Sequence, residues 1–236
     1  MLSSTETVGA IPLTFYRQPI MDLRSDPPVV VGYEWLTRPP DGDALGLWRW
    51  ARECGTLLAL ERAIYTAAAQ YRAAIPGRLF LNVDPAIVAL DAPPVADWEA
   101  LAPIVLEITE AGLPIPRRLH FLQAAGLSLA VDDWGLGDGA FTKLTRWPVD
   151  VLKLDRSLLL DAKDSARARD ALSMVALFAA RWHVDLIAEG VETREEAALI
   201  RHLGIPFGQG FWWGLPEPFA TGLWTLPMGG ALSHGD

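Results

Sequence analysis

The chain has 236 residues, of which 51% are hydrophobic and 21% are charged, so it carries enough apolar side chains for one large core and is not intrinsically disordered. The formal net charge of −9 argues against binding to a nucleic-acid polymer or an anionic membrane, and no apolar stretch reaches the roughly 20 residues that span a bilayer. A single cysteine excludes an internal disulfide, and the lack of a basic, apolar leader favours a cytoplasmic protein.

The predicted elements start with two neighbouring strands and continue as alternating strands and helices. Strands over 13–23 and 29–38 are separated by RSDPP, a turn sequence that favours an antiparallel pair. Further strands are predicted over 78–84, 104–110, 127–133, 149–155, 184–191 and 207–214, with helices near 47–53, 57–74, 116–125, 164–182 and 194–203. About eight strands in this order predict an α/β fold, a closed (β/α)8 barrel that opens with an antiparallel pair. The expected domain covers 13–225, between an N-terminal extension (1–12) and a flexible tail (226–236).

Most of the predicted strands are apolar for four or five residues and then carry a polar side chain near the C-terminal end. These side chains are Glu34, Asn82, Glu107, Asp132, Asp133, Lys153, Asp155, Glu189 and Gln209. In a βα barrel the C-terminal ends of the strands meet at one mouth, so these residues are expected to converge there. A single acidic residue at a strand end is usually only solvated. The joint pattern is what predicts a functional site.

Carboxylate and amide oxygens dominate this expected site, and they suit Mg²⁺ or Mn²⁺ better than zinc. Glu34, Glu107 and Asp132, together with the side-chain oxygen of Asn82, form the predicted ligand set. Asp132 and Asp133 are adjacent, so they either serve two metal ions or form a structural pair whose oxygens accept hydrogen bonds from loop amides.

Two further positions have both a catalytic and a structural interpretation. Lys153 lies between two leucines and either forms an ion pair with Asp133 or Asp155 or holds an anion or a water molecule. Glu189 and Glu192 lie on either side of a glycine, which suggests one acid/base or metal ligand and one structural hydrogen-bonding group.

Other signals are weak. The glycine run GLGDGAF (135–141) does not open a long helix and is therefore not read as a phosphate loop, and the histidines lack zinc-ligand spacing. Cys54 is expected to be a small buried side chain. The tryptophans of LWRW (47–50) and FWW (211–213) are read as core or interface residues rather than stacking platforms.

Taken together, the motifs resemble those of EAL domains, the cyclic di-GMP phosphodiesterases, over nearly the whole chain. The signature tripeptide is Glu34-Trp35-Leu36. The other matches are LFLNVDP (79–85), LEITE (106–110), VDDWGLG (131–137), PVDVLKLDRSLL (148–159), IAEGVET (187–193) and GQG (208–210).

The resemblance implies a TIM-like barrel with one antiparallel strand and hydrolysis of cyclic di-GMP to linear pGpG by two Mg²⁺ or Mn²⁺ ions, with Ca²⁺ inhibitory. It also implies a role for each matched residue: Glu34, Asn82, Glu107, Asp132 and Asp133 at the metals, Lys153 and Glu189 at the attacking water with Glu189 as the general base, Arg38 at a substrate phosphate, Gln18 at a guanine, Gln209 at the pocket, and Glu110, Asp155 and Glu192 as supports of the loop and the metal ligands. A homodimer or a regulatory protein partner is also compatible with this family.

Two segments depart from the family pattern. The family loop after the aspartate pair reads close to DFGTGYSSL, whereas 134–141 here lacks the threonine, the tyrosine and both serines. The loss of these hydroxyl groups predicts that Glu110 lacks hydrogen-bond partners. Two alternatives to a fast enzyme therefore remain: a slow enzyme, or a catalytically silent domain that binds cyclic di-GMP or a protein. The segment 37–48 is shortened and is expected to reshape the rim of the pocket. A glycosidase-like barrel with two catalytic carboxylates is the third alternative, although it would need neither a metal cluster nor paired aspartates.

Overall fold

Nine strands form one sheet in the described residues, and eight of them close into a barrel. The computed structural model describes residues 10–89, 102–110, 116–124, 126–135 and 145–225. The strands are β1 (Ala10–Asp22), β2 (Val29–Arg38), β3 (Arg78–Asn82), β4 (Ile104–Thr109), β5 (Ser128–Trp134), β6 (Val151–Leu154), β7 (Asp185–Ala188), β8 (Phe207–Gln209) and β9 (Glu217–Thr225). Strands β2 to β8 pair in parallel, and β1 closes the barrel by pairing antiparallel with both β2 and β8.

The helices follow the strands, as the alternating pattern predicted. They are α1 (Ala44–Glu53), α2 (Leu57–Tyr71), α3 (Pro85–Val88), α4 (Pro116–Ala124), α5 (Arg156–Asp164), α6 (Ala166–Arg181) and α7 (Arg194–His202). Several begin at side-chain caps that satisfy the free amides of the first turn: Asp43 caps α1, Asp155 caps α5 and Thr193 caps α7. Within the described residues, none of these helices is both long and apolar enough to cross a membrane.

The antiparallel opening of the barrel is confirmed, with Gln18 of β1 directly opposite Glu34 of β2. Several elements differ from the sequence prediction. Strand β9, which pairs with the first half of β1, was not predicted, because its proline and glycine interrupt the strand pattern. The short helix α3 was not predicted either, and helix α5 was missed between the strand predicted over 149–155 and the helix predicted over 164–182. The strand predicted over 207–214 ends at Gln209.

The predicted N-terminal extension and C-terminal tail fall largely outside the described residues. Strand β1 begins at Ala10, inside the extension predicted over 1–12, and residues 1–9 and 226–236 are not described. The extension and the flexible tail therefore stay predictions.

The interior of the barrel has an apolar layer to which seven of the eight strands each contribute one residue. The layer consists of Ile20, Phe80, Val105, Ala130, Val151, Ile187 and Phe207, of which the most exposed is Phe207 at 3%. Side chains two residues apart on a strand point to the same face. The residues two positions farther toward the C-terminal mouth therefore also face the barrel axis.

Candidate active site

A polar layer lies directly above this apolar layer. Two residues beyond the apolar residue of each parallel strand stand Asn82, Glu107, Asp132, Lys153, Glu189 and Gln209. Gln18 precedes Ile20 by two residues on the antiparallel strand β1 and so reaches the same level. On β2 the residue two before Glu34 is Gly32, where a Cβ atom would lie 2.5 Å from the Arg78 carbonyl oxygen. A glycine is needed there for β2 and β3 to approach.

Lys153 lies at the centre of the polar layer and is 1% exposed. Its Nζ atom is 2.7 Å from Glu107 Oε1, 2.8 Å from Glu189 Oε1 and 3.0 Å from Asp132 Oδ1. Glu34 Oε2 is 3.6 Å away. Among the described residues, Lys153 therefore pairs with three predicted metal ligands and with the predicted base Glu189, and not with Asp133 or Asp155 as one interpretation of the sequence had it.

Amide side chains connect the carboxylates on the other side of the mouth. Asn82 Nδ2 donates to Glu34 Oε1 and to Glu107 Oε2, both at 3.2 Å. Gln209 Nε2 donates to Glu34 Oε2 at 2.6 Å and to Gln18 Oε1 at 3.1 Å. The Oε1 atom of Gln209 is buried and accepts no hydrogen bond from the described residues, so it is an available oxygen ligand or acceptor.

Asp132, Asp133 and Glu189 form a second group of oxygen atoms, and one carboxylate oxygen from each lies within 4.8 Å of the others. Asp133 adopts a left-handed backbone conformation with φ of 53°, which aspartate tolerates better than most residues. This conformation allows two consecutive aspartates to contribute to one site, whereas alternation along a regular strand would place them on opposite faces.

The pKa values of the site depend first on burial and then on the charges of the neighbouring groups. Burial raises the pKa of Glu107 well above its usual range and that of Glu189 to about 8, against the opposing charge of Lys153. The pKa of Glu34 is lowered. Burial alone would raise it, but the Lys153 charge and the hydrogen bonds from Gln209 and Asn82 outweigh that effect. Burial would lower the pKa of Lys153, yet the surrounding carboxylates raise it well above its usual range. Lys153 therefore remains an ammonium, and its one positive charge is shared by four neighbouring carboxyl groups.

Glu110 has a partner, contrary to the expectation from the loop sequence. The backbone amide of Gly135 donates to Glu110 Oε2 at 3.0 Å, and Glu110 is 4% exposed. Gly135 has φ of 109°, and a Cβ atom there would lie 2.5 Å from a methyl carbon of Leu158. A backbone donor thus ties the start of the loop to Glu110 without a hydroxyl side chain. Residues 136–144 lie outside the described residues, so the effect of the other replacements stays a prediction.

Asp155 and Glu192 lie outside the carboxylate cluster. Asp155 Oδ1 accepts from Ser157 N at 2.8 Å and caps α5. Glu192 is paired with Arg156 at 2.8 Å, and its backbone amide donates to Glu196 Oε2 at 2.7 Å. Both residues hold the helices that follow β6 and β7, so they position the ends of the strands that carry Lys153 and Glu189.

A cavity of about 320 Å³ adjoins the cluster and includes residues that the sequence reasoning did not select. Glu34, Arg38 and Asn82 line it together with Trp48, Arg52 and Asp84. Asp84 lies two residues after Asn82 in LFLNVDP, and this proximity was the signal in the sequence that could have selected Asp84. The shortened segment 37–48 therefore lines the pocket itself.

One minor expectation needs correction: Cys54 is exposed rather than buried, because it directly follows the last residue of α1. The tryptophans of LWRW pack as core residues were expected to, Trp48 against the main core cluster and Trp50 against the ring of Trp224 at 5.4 Å.

A family model for the EAL domain matches residues 9–216 of the chain. The chain belongs to the EAL domain family. Curated relatives of this EAL domain include the cyclic di-GMP phosphodiesterase NbdA of Pseudomonas aeruginosa, with 35% identity over 124 residues that cover 49% of this chain and 16% of NbdA. Across four curated relatives, the chain spans between 14% and 24% of their length.

Solved structures confirm the TIM-like barrel with an antiparallel strand. The EAL domain of Mycobacterium smegmatis DcpA superposes with a TM-score of 0.67 at 27% identity, covering 87% of this chain and 91% of DcpA's. A Klebsiella pneumoniae BlrP1 complex with manganese and cyclic di-GMP gives a TM-score of 0.75 at 24% identity, covering 91% of this EAL domain and 59% of the BlrP1 chain.

Proposed function

We propose that this EAL domain is a metal-dependent phosphodiesterase that hydrolyses cyclic di-GMP to linear pGpG with two Mg²⁺ or Mn²⁺ ions. The observation that carries the proposal is the surplus of acids around one lysine at the mouth of an EAL barrel. Glu34, Glu107, Asp132, Asp133 and Glu189 surround or adjoin the single ammonium of Lys153.

The donor set fits two hard divalent cations. Every candidate ligand offers oxygen, and burial, to which the neighbouring carboxylates add, raises the pKa of Glu107 and of Glu189. Glu34, Asn82, Glu107 and Asp132 would hold one cation, and Asp132 with Asp133 would hold the second. Two divalent cations would supply four positive charges to a cluster in which five carboxyl groups face one ammonium, so they would also allow an anionic substrate to bind.

Residues at the rim supply the substrate contacts. Arg38, at the end of β2, donates from Nη1 to the Thr37 carbonyl oxygen at 3.0 Å and lines the cavity beside Glu34, where its remaining donors can bind a phosphate. Gln18 donates to the Gly214 carbonyl oxygen and accepts from Gln209 Nε2, both at 3.1 Å, and it would contact a guanine of the substrate. These roles, like the metal ligand assignments, are part of the proposal.

When bound, divalent cations would neutralise phosphate oxygens and make a water molecule more acidic. Glu189 would accept the proton of the attacking water at its carboxylate, and Lys153 would donate a hydrogen bond that orients this water toward phosphorus. The water oxygen bonds to phosphorus as the bond to the ribose 3′ oxygen breaks. The leaving oxygen takes up a proton from solvent, and the ring opens to linear pGpG.

The test is to incubate the purified chain with cyclic di-GMP and Mg²⁺, Mn²⁺, Ca²⁺ or excess EDTA, and to separate linear from cyclic nucleotide by chromatography. We expect hydrolysis with Mg²⁺ or Mn²⁺, and none with EDTA or with Ca²⁺, whose looser coordination misplaces the reacting groups. Undiminished hydrolysis in EDTA would overturn the two-metal mechanism, and tight binding without turnover would favour the silent receptor. A homodimer, a regulatory partner and the cytoplasmic location all stay predictions.

A further inference from the structure

The turn that follows β7 carries Glu189, and hydrogen bonds hold its backbone on both sides. The Glu189 amide donates to the Leu154 carbonyl oxygen at 3.1 Å, and the Val191 amide donates to the Gln209 carbonyl oxygen at 3.0 Å. The Glu189 carboxylate, by contrast, has a single ion pair among the described residues, with Lys153 at 2.8 Å. The direction in which this carboxylate points therefore depends on where the turn places its backbone.

Arg156, the first residue of α5, lays its aliphatic stem against this turn. Gly190 has a left-handed backbone with φ of 62°, and a Cβ atom there would lie 2.8 Å from Arg156 Cδ and 3.0 Å from its Cβ and Cγ. Three carbons of the stem therefore lie directly against the residue that follows Glu189. A side chain at position 190 would displace either the stem or the turn.

The charged end of Arg156 holds the same turn two residues farther along. Its Nη2 atom lies 2.8 Å from Glu192 Oε2 and 3.9 Å from Glu196 Oε1. Glu196 has a side chain that is 1% exposed, and its Oε2 atom accepts hydrogen bonds from the Glu192 and Thr193 amides at 2.7 Å and 3.2 Å. Arg156 therefore contacts the turn at both 190 and 192, next to a buried acid that fixes the end of the turn.

The backbone of Arg156 is anchored at the end of β6, the strand that carries Lys153. Asp155 caps α5, and its amide donates to the Trp134 carbonyl oxygen at 3.3 Å. Arg156 thus connects the strand of Lys153 to the turn of Glu189, the two residues that are proposed to hold the attacking water.

The exposure of this ion pair argues against a purely stabilising role. The side chains of Arg156 and Glu192 are 31% and 45% exposed, and exposed pairs of this kind contribute little to stability. The Nη1 atom of Arg156 is also buried without a hydrogen-bond partner in the described part of the chain, which lowers stability further. Placement is a different matter, since a displacement of about 1 Å in a reacting group can lower a rate by about 100-fold.

We propose that Arg156 is a positioning residue for the general base: its stem against Gly190 and its ion pair with Glu192 fix the turn that orients the Glu189 carboxylate toward the attacking water. Arg156 acts through Glu189 and needs no contact with the substrate or with a cation. The inference rests on the proposed function, because it takes Glu189 as the base in the hydrolysis of cyclic di-GMP.

The experiment measures kcat and KM for cyclic di-GMP with Mn²⁺, together with the dissociation constant of Mn²⁺. Arg156→Ala should lower kcat by about 10- to 100-fold and change KM and the Mn²⁺ dissociation constant by less than about twofold. Arg156→Lys keeps an aliphatic stem and the positive charge, so it should recover most of the rate.

Arg169→Ala is the matched control. Arg169 is half-buried like Arg156, and it donates to the Ala162 and Lys163 carbonyl oxygens at 2.8 Å and 3.1 Å, at the opposite end of α5. Its alanine variant loses an arginine from the same helix without touching the turn after β7, and it should turn over like the wild type.

A second comparison distinguishes positioning of the base from general damage to the site. In a Glu189→Gln background the base is already absent, so adding Arg156→Ala should lower the residual rate by less than about twofold. Damage to the whole site would instead lower it by the full factor again. Single-turnover measurements with excess enzyme give the rates of these slow variants.

Arg156→Met guards against loss of folding, because methionine keeps a flexible chain against Gly190 and loses only the ion pair. It should still lower kcat by about 10-fold. A wild-type kcat in Arg156→Ala or Arg156→Met, an equal loss in Arg169→Ala, or an undiminished loss in the Glu189→Gln background would each overturn the positioning role while leaving hydrolysis of cyclic di-GMP intact. A wild-type chain that does not hydrolyse cyclic di-GMP would instead overturn the proposed function and this inference with it.

Discussion

The Nζ atom of Lys153 lies 2.7 Å from Glu107 Oε1, and both side chains are almost completely buried, at 1% and 0% exposed. A buried acid without a counter-charge is expensive, and the proposed site gathers several of them. In this arrangement the lysine both stabilises the folded barrel and occupies the position from which it can orient a water molecule.

The first prediction concerns this dual role. Replacing Lys153→Met leaves the acids unpaired and should lower the free energy of unfolding in EDTA by about 3–5 kcal/mol, as measured by urea denaturation. Saturating Mn²⁺ should restore most of the loss, because the cations replace the missing charge. Turnover should remain low in both conditions.

Lys163→Met is the matched control. Lys163 pairs with Glu196 at 2.9 Å, but its side chain is 43% exposed, so its loss should cost no more than about 1 kcal/mol and should not respond to Mn²⁺. Equal destabilisation of the two variants would show that Lys153 is not the central counter-charge.

The sequence predicted the ring of site residues because a simple period links them to the core. Six polar residues each stand two positions after an apolar residue of the interior layer, and this pattern is visible in the sequence. They are Asn82, Glu107, Asp132, Lys153, Glu189 and Gln209. Asp133 was selected as well, although its place in the site depends on a left-handed backbone that no strand period reveals.

The sequence did not reveal the network behind the cavity, in which Arg52 forms an ion pair with Asp84 and the Asp84 amide donates to Glu61. Arg52 and Asp84 are 32 residues apart, and each looks like an ordinary polar residue at the end of a helix or strand. Glu61 lies on the helical face that packs on the barrel, where an apolar residue is expected. Their partnership depends on how α1 and α2 pack on β3, which local patterns do not determine.

The second prediction separates the base from a metal ligand. Glu189→Gln should lower kcat by at least about 100-fold and leave most of the affinity for cyclic di-GMP, because it removes only the proton acceptor. Glu34→Ala should weaken both binding and turnover, because it removes a cation ligand. Calorimetric titration of Mn²⁺ and of nucleotide distinguishes the two, and near-wild-type kcat in Glu189→Gln would contradict the assigned base.

The same assignment predicts a pH dependence. Glu189 must lose its proton before it can act, so kcat/KM should rise with pH, with a midpoint at or below about 8, because bound cations lower the pKa from its cation-free value. Initial rates between pH 5.5 and 9 provide the measurement. A rate that falls steadily over this range would contradict a general base with a raised pKa.

The third prediction concerns the loop after the aspartate pair. Glu110→Ala removes the acceptor for the Gly135 amide and should lower kcat by about 10- to 100-fold, since a shift of about 1 Å in Asp132 or Asp133 is costly, while nucleotide binding changes less. Glu110→Gln retains an acceptor oxygen and should recover much of the rate. If both variants turn over as fast as the wild type, Glu110 does not position the loop.

The hydroxyl groups missing from the loop allow a complementary gain-of-function test. Leu136→Thr, Asp138→Tyr, Gly139→Ser and Ala140→Ser introduced together should raise kcat more than they lower KM, because they restore the hydroxyl groups of the family sequence as hydrogen-bond donors. An unchanged kcat would show that the Glu110 contact already suffices.

The last prediction concerns Glu61, whose burial raises its pKa from 4.5 to about 7 although neighbouring polar groups, among them the Asp84 amide at 3.0 Å, act to lower it. The folded chain therefore holds this proton more tightly than the unfolded chain. The resulting stabilisation is fully present below about pH 4.5 and is lost as the pH rises toward 7, by an amount on the order of 3 kcal/mol.

Glu61→Gln imitates the protonated acid, so the difference in unfolding free energy between variant and wild type should grow in favour of the variant from pH 4.5 to 7 and then level off. Exposed Glu53→Gln on α1 is the control, and its difference from wild type should change little over that range. A Glu61→Gln difference that is flat with pH, as judged by urea denaturation at several pH values, would show that Glu61 ionises normally in the folded chain.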